Sequence, residues 1–396
     1  MGNYLASVGL GEYIGYFYSV QGLVSIFMPT LWGILADRRV EAQRLLGLSH
    51  ITAGLLMFAV CFACQVSESV SFSVIFPIYA FSVAFYMPTL GLANSVSYTA
   101  MQGSGLDKVN DFPRIRIFGT VGFLVAMWSV DFIGFQQSPM QFLVSGIWGV
   151  ALGLYAFTMP RCAVNREQDC QTWTRRLGLD AFGLLKSPRM LLFFFFSMML
   201  GMALQITNGF ASPFIDAFGS LDEYKGSFFV EHANLLISLS QISETLCILL
   251  IPFFLRRYGI KVVMLISMSA WFLRFGLFAI GAPSGPGVMA LVLSMIVYGV
   301  AFDFFNISGS LFVDGEVEPS MRSSAQGLFM LMTNGLGAAI GTLAAQAVVN
   351  RFVYSVSDPV AQMEGWRLSW LIFSAYSLVV AISFAFVFEG GKAKQE

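Results

Sequence analysis

The sequence predicts an all-α integral membrane protein made of two pseudo-symmetric helical bundles. Three observations predict it. Only 11% of the 396 residues are charged while 57% are hydrophobic, against about 25% charged in soluble domains. The apolar residues gather in runs long enough to cross a bilayer. A long basic connection near the middle divides those runs into two groups. In water so little charge would leave large apolar surface exposed; lipid is the solvent that accommodates it.

A helix needs about 20 apolar residues to cross the hydrocarbon core, and backbone groups in lipid must be satisfied within the segment, so the runs are read as helices. They fall near 11–35, 45–64, 71–97, 112–133, 141–160, 190–216, 231–254, 262–281, 287–313, 323–349 and 366–388, about 11 spans. Alternate loops collect the basic residues: Arg38, Arg39 and Arg44, then Lys108, then Arg161, Arg166, Arg175 and Arg176, then Arg256 and Arg257, then Arg322, with Lys392 and Lys394 in the tail. The positive-inside rule makes these loops cytoplasmic. It places the C-terminus inside and Met1 outside.

The predicted organisation is an N-terminal bundle over 1–160, a cytoplasmic linker over 161–189, a C-terminal six-helix bundle over 190–388 and a cytoplasmic tail over 389–396. In the linker, GLDAFGLLKSPRM from Gly178 alternates apolar and polar positions and is expected to form an amphipathic helix along the inner surface. The halves echo each other. GILADRR from Gly33 and FFLRRYGIK from Phe253 both follow an apolar helix and put paired Arg at the membrane edge. If these loops correspond, the first half lacks one helix before residue 11. Two six-helix halves related by a parallel repeat are the plan of major facilitators.

Several chemistries are unsupported. There is no P-loop, HExxH or GxSxG pattern, and the chain holds 2 His. The 5 Cys form no disulfide framework, and the Cys61/Cys64 pair lacks a second pair or a His partner. Cys162 and Cys170 lie in the basic linker, on the reducing side. No cleavable signal peptide is visible. A formal net charge of −1 gives no sign of a nucleic-acid partner. No catalytic group, metal or cofactor is expected.

Longer motifs narrow the reading. MPTLGLANSVSY from Met87, DFPRIRIFGTVGF from Asp111, GLDAF from Gly178, LQITNGF from Leu204, SQISETL from Ser240 and YGVAFDFFNISGS from Tyr298 are the relevant stretches. Through them the chain, from Met1 to about residue 388, resembles the bacterial nucleoside:proton symporters, a branch of the major facilitator superfamily. The resemblance implies proton-coupled nucleoside import across the bacterial inner membrane by alternating access. The proton gradient would be the energy source and the protein a monomer in the lipid bilayer. It also implies 12 spans, of which the first is expected to be missing here.

Polar groups in the spans supply the candidate site, because a charge at mid-bilayer costs about 2.5–3.5 kcal/mol on insertion scales. Gln241 and Glu244 are three apart on one helix face. An amide beside a carboxyl suits a ligand with paired hydroxyls; an interhelical hydrogen bond is the structural alternative. Asp303 stands between Phe302 and Phe304. Burial changes the proton affinity of a carboxyl, so Asp303, with Glu244 second, is expected to couple proton and substrate. The alternative is a permanent ion pair with a membrane Arg.

Gln205 and Asn208 repeat the three-residue spacing. Their amides fit a nucleobase edge, an assignment that rests mostly on the resemblance; polar contacts between helices are the alternative. Arg116, Thr120 and Phe123 lie along one face. Phe123 can stack on a base while Arg116 and Thr120 donate to its carbonyls, although Arg116 is close enough to the edge to snorkel. Tyr298 and Phe302 can form an aromatic slot, but with 40 Phe in the chain only the resemblance separates them from core packing.

Arg274 is read as a structural counter-ion to a carboxylate, and His232 as an interfacial residue. Asn94, Asn306 and Asn334 are read as interhelical hydrogen-bonding groups. Gly11/Gly15 and Gly337/Gly341 have the spacing of close helix crossings, and Pro77 and Pro88 are read as kink positions. A proton-coupled sugar or other small-solute symporter, or an intramembrane enzyme or sensor, are the competing functions.

Overall fold

The computed structural model describes residues 1–66, 70–106, 112–162, 179–248, 250–317 and 322–388. Lys108, Asp111, Arg166, Cys170, Arg175, Arg176, Gly178, Lys392 and Lys394 lie outside these residues, and with them most of the linker and the tail. The side chains of Arg38, Arg116 and Arg322 also lie outside what is described. No strand occurs among the described residues. The chain forms two compact units, one of Met1 and Asn3–Leu177, the other of Gly2 and Gly178–Glu396.

The first unit holds α1 (Gly2–Ser7) apart from its first residue, α2 (Ile14–Arg38), α3 (Ala42–Val66), α4 (Phe72–Gly103), α5 (Phe112–Phe132) and α6 (Met140–Ala156). Helix α3 packs on α4 and α6, and α2 on α4. The α3–α6 crossing brings backbone against backbone. A Cβ on Gly47 would stand 2.8 Å from the Gly153 carbonyl oxygen, and one on Gly54 2.8 Å from that of Gly146. Without an apolar solvent difference to drive helices together, such close van der Waals contact is what holds them in lipid. Rings join α2 to α4, with Tyr13 stacked on Phe72 at 4.5 Å and Phe17 edge-on to Phe76 at 5.3 Å. Polar links run between spans as well: Gln21 donates to the Tyr79 hydroxyl at 2.7 Å, and Trp32 to Ser49 at 2.8 Å. Pro77 and Pro88 both lie inside α4, which continues through them to Gly103.

The second unit opens with a 3₁₀ helix, Leu179–Lys186, where an amphipathic helix is predicted. It continues with α7 (Pro188–Ala217), a single turn Phe228–Glu231, α8 (Ala233–Ile248), α9 (Ile251–Ile280) and α10 (Pro286–Glu316). Then come α11 (Arg322–Met330), a π-helical turn Leu331–Gly337, α12 (Ala338–Val349), a second π turn Asn350–Tyr354 and α13 (Pro359–Val387). Helix α9 is two helices in one: Gly259 takes φ 71°, a left-handed conformation that breaks the ladder where the basic loop is predicted. Helix α10 packs on α8 and α9, and α9 on α13. An aromatic core fills the unit, with Trp370 4.6 Å from Phe278 and 5.5 Å from Phe214.

Gly337 and Gly341 bear out the predicted close crossing, since a Cβ on either would stand 2.6 Å or less from the backbone of Met198 or Met202 in α7. Gly11 falls in a 3₁₀ turn, Gly11–Tyr13, and Gly15 in α2, so that pair does not share one helix. Among the described residues eight helices are long and apolar enough to cross a membrane, with three shorter apolar ones, Phe118–Phe132, Met140–Ala156 and Ala233–Ile248. Each of the eleven predicted spans falls on one of these.

Candidate functional site

The second unit gathers most of the candidate residues. Gly299 makes this possible: a Cβ there would stand 2.6 Å from the carbonyl oxygen and the hydroxyl of Ser243. Helix α10 therefore lies directly on α8, and Ser243 donates across the crossing to the Ile296 carbonyl. One residue along from Ser243, Glu244 of α8 comes within electrostatic range of Asp303 and Tyr298 on α10. The two carboxyls act on each other, so protonating one bears on the state of the other.

Asp303 is 2% exposed. Its Oδ2 is buried and has no hydrogen-bond partner among the described residues. A carboxyl oxygen without a donor inside a span calls for an explanation; here it has a position open to a proton or to a donor from a ligand. Phe304, next in the chain, packs in an apolar cluster with Cys247, Ile251 and Val263. The permanent ion pair considered for Asp303 is absent, since no Arg or Lys lies within 4 Å of it among the described residues.

Tyr298 and Phe302 stack with ring centres 5.8 Å apart and planes 17° from parallel. Trp271 of α9 stands edge-on to Tyr298 at 5.9 Å. Arg274, 1% exposed, has its guanidinium 4.6 Å from the Tyr298 ring centre and 5.1 Å from that of Phe278. It donates to the Ser294 carbonyl and to the Met295 sulfur. The predicted carboxylate partner is not there: among the described residues no carboxylate lies within 4 Å of Arg274. Ring faces, a carbonyl and a thioether hold this cation in its place.

A narrow crevice with room for about one water molecule lies beside the ring stack. Leu200, Gly201 and Leu204 of α7, Trp271 of α9 and Phe302, Phe305 and Asn306 of α10 form its walls, closed by Thr333 and Asn334 on the first π turn. Of the predicted site residues in this unit, Phe302 alone lines it. Gln205 and Asn208 follow Leu204 on α7 and bond to each other, Asn208 donating to Gln205 at 3.4 Å. Gln241 is half-buried on α8.

The three asparagines read as interhelical groups are not: Asn334 reaches only the Met330 sulfur of its own helix, at 3.5 Å, and neither Asn94 nor Asn306 makes a side-chain hydrogen bond among the described residues. Trp271 and Thr333 were not singled out from sequence. The signal available was the three-residue spacing of Trp271 and Arg274, and a Thr–Asn pair in an apolar span. In the first unit Thr120 is half-buried and Phe123 is 52% exposed, both on α5 with Arg116. His232 ends the turn Phe228–Glu231, its ring 4.9 Å from Phe228.

A buried carboxyl and a half-buried one beside an aromatic stack, within a unit of membrane-length helices, are a constellation for carrying a polar solute and a proton. The family model described as nucleoside H+ symporter matches residues 1–393. The chain belongs to the nucleoside H+ symporter family. This symporter is 47% identical over 380 residues to the nucleoside permease NupG of Escherichia coli (strain K12), covering 96% of this chain and 88% of that one. It is 45% identical over 379 residues to the xanthosine permease of the same strain, again covering 96% and 88%. A crystal structure of a point variant of the nucleoside transporter NupG superposes with a TM-score of 0.91 at 45% identity, covering 98% of this chain and 94% of that one. The fold is that of major facilitators, and the symporter's relatives are permeases rather than enzymes.

Proposed function

We propose that this symporter imports nucleosides with protons across the bacterial inner membrane by alternating access, as a monomer with its C-terminal tail in the cytoplasm. The proton gradient drives it and no cofactor takes part. Asp303 is the proton-coupling residue, with Glu244 second. Gln241 and Glu244 hold the sugar hydroxyls, Tyr298 and Phe302 flank the ligand, and Gln205, Asn208, Arg116, Thr120 and Phe123 are further substrate contacts.

The observation that carries this reading is the buried Asp303, with Oδ2 unpartnered, within electrostatic range of Glu244. A proton taken up by Asp303 removes a like charge beside Glu244 and leaves that carboxylate free to accept from a ligand's hydroxyls, so proton and nucleoside favour each other's binding. The test is uptake of radiolabelled uridine by cells that lack their own nucleoside uptake. The reading predicts competition by other nucleosides, none by free ribose, and recovery of unchanged uridine. Equal competition by ribose would make the protein a sugar carrier, and chemical change of the uridine an enzyme.

A further inference from the structure

Arg274 is a buried charge that neither proton coupling nor the substrate contacts above employ. It is 1% exposed in α9, and a charge in a span is costly unless it does what a neutral group cannot. Two of its contacts need no charge. It donates to the Ser294 carbonyl and to the Met295 sulfur of α10, and a carboxamide could make the first of these. The same sulfur accepts from Ser240 of α8 at 3.2 Å, so Met295 is a joint between three helices. The remaining contacts do call for a cation. The guanidinium lies 4.6 Å from the Tyr298 ring centre and 5.1 Å from that of Phe278, a placement that suits a planar positive group.

Tyr298 depends on such contacts. Its hydroxyl makes no hydrogen bond among the described residues, so the ring is placed by what touches its face and edge. Those neighbours are Arg274, Trp271 edge-on at 5.9 Å, and Phe302, whose plane is 17° from parallel. Trp271 and Arg274 are three apart on α9, and one face of that helix therefore supplies both supports. Tyr298 itself is 5% exposed. Phe302, stacked on it, is half-buried and is the more open of the two rings. A line of contacts thus runs from the buried cation through Tyr298 to Phe302.

Taking the nucleoside reading above as its basis, we propose that Arg274 is a positioning residue: it holds the Tyr298 ring where Phe302 stacks on it, and so fixes the aromatic surface against which the nucleoside lies. Arg274 does not touch the ligand. Nor does it belong to the proton-coupling pair, since no carboxylate lies within 4 Å of it among the described residues. Its loss therefore weakens capture of the nucleoside and leaves the movement of the loaded carrier intact.

The test is uridine uptake by cells that lack their own nucleoside uptake, with the amount of protein in the membrane measured alongside. Arg274→Met keeps a long apolar side chain and removes the charge. It is expected to raise KM about tenfold, the order of one desolvated cation–ring contact. The maximal rate per molecule in the membrane stays within about twofold, as for a loss of uniform binding. Tyr298→Leu removes the ring and also raises KM. Adding Arg274→Met to Tyr298→Leu raises it further by less than about twofold, because the first residue acts through the second. Arg274→Gln keeps a donor for the Ser294 carbonyl and gives the same comparison where the Met variant fails to reach the membrane. Where a variant takes up too little uridine for a KM, the Kd of uridine for the purified protein replaces it. A residue that only holds helices together would change the unfolding temperature and the amount in the membrane but not KM. That result overturns the proposal, as does a KM rise equally large with and without the Tyr298 ring. A native protein that takes up no uridine at all overturns the nucleoside reading instead.

Discussion

The guanidinium of Arg274 lies 4.6 Å from the ring centre of Tyr298, and no carboxylate stands within 4 Å of it among the described residues. A buried cation held by ring faces makes a prediction that charge pairing does not. Lysine keeps the charge but is more strongly hydrated and has no planar face to lay on two rings. Methionine removes the charge together with its desolvation cost. Arg274→Lys is therefore the more destabilising change, by about 1–3 kcal/mol relative to Arg274→Met. The midpoint of thermal unfolding in detergent reads the order, and a Lys variant as stable as the native protein contradicts it.

Gly299 sets the α8–α10 distance, because a Cβ there would meet Ser243 at 2.6 Å. Gly299→Val is expected to lower stability by about 1–3 kcal/mol, as overpacking does, and to reduce uridine uptake by shifting Glu244. Gly315 lies on the same helix with nothing within 4 Å of its would-be Cβ, so Gly315→Ala is the control and leaves both readouts unchanged.

Glu244→Gln is expected to raise KM for uridine about tenfold or more, since a hydrogen bond to a charged group is worth about 1.5–3 kcal/mol. The rise is absent for 2′,3′-dideoxyuridine, which has no paired hydroxyls for the carboxylate to accept from. An equal effect on both substrates would place Glu244 away from the sugar.

Phe123 is 52% exposed on α5, so its ring contributes little to the packing of its own unit. Phe123→Ala is predicted to leave thermal stability within about 0.5 kcal/mol. It should weaken uridine binding about tenfold, in line with the 1–3 kcal/mol that base stacking on an aromatic side chain contributes. Unchanged affinity would remove Phe123 from the site.

Much of this was legible in the sequence because lipid is an unforgiving solvent. Charge is so costly there that Glu244, Arg274 and Asp303 stand out of their apolar runs, and span positions follow from length alone. What a buried group touches is not written in its run. Arg274 reads as a counter-ion because a charge suggests an opposite charge; the rings of Tyr298 and Phe278 that hold it leave no charge pattern to detect.

Asn306 and Asn334 announce that each amide faces something, but not that it is a narrow crevice. Trp271 is hidden among ordinary apolar residues. The Gly47–Gly153 and Gly54–Gly146 contacts join helices about a hundred residues apart, a distance over which local spacing carries no information. Tyr298 and Phe302 could be picked from 40 Phe and 13 Tyr only by the motif around them.

The account stands most directly on Asp303, and purified protein in liposomes tests it. With an acidic exterior imposed, the native protein is predicted to accumulate uridine above the external concentration and to lose that accumulation when a protonophore is added. Asp303→Asn is predicted to abolish the proton-driven accumulation while still exchanging labelled for unlabelled uridine across the membrane. An Asp303→Asn variant that concentrates uridine as well as the native protein does, and still responds to the protonophore, would contradict the assignment of proton coupling to this carboxyl.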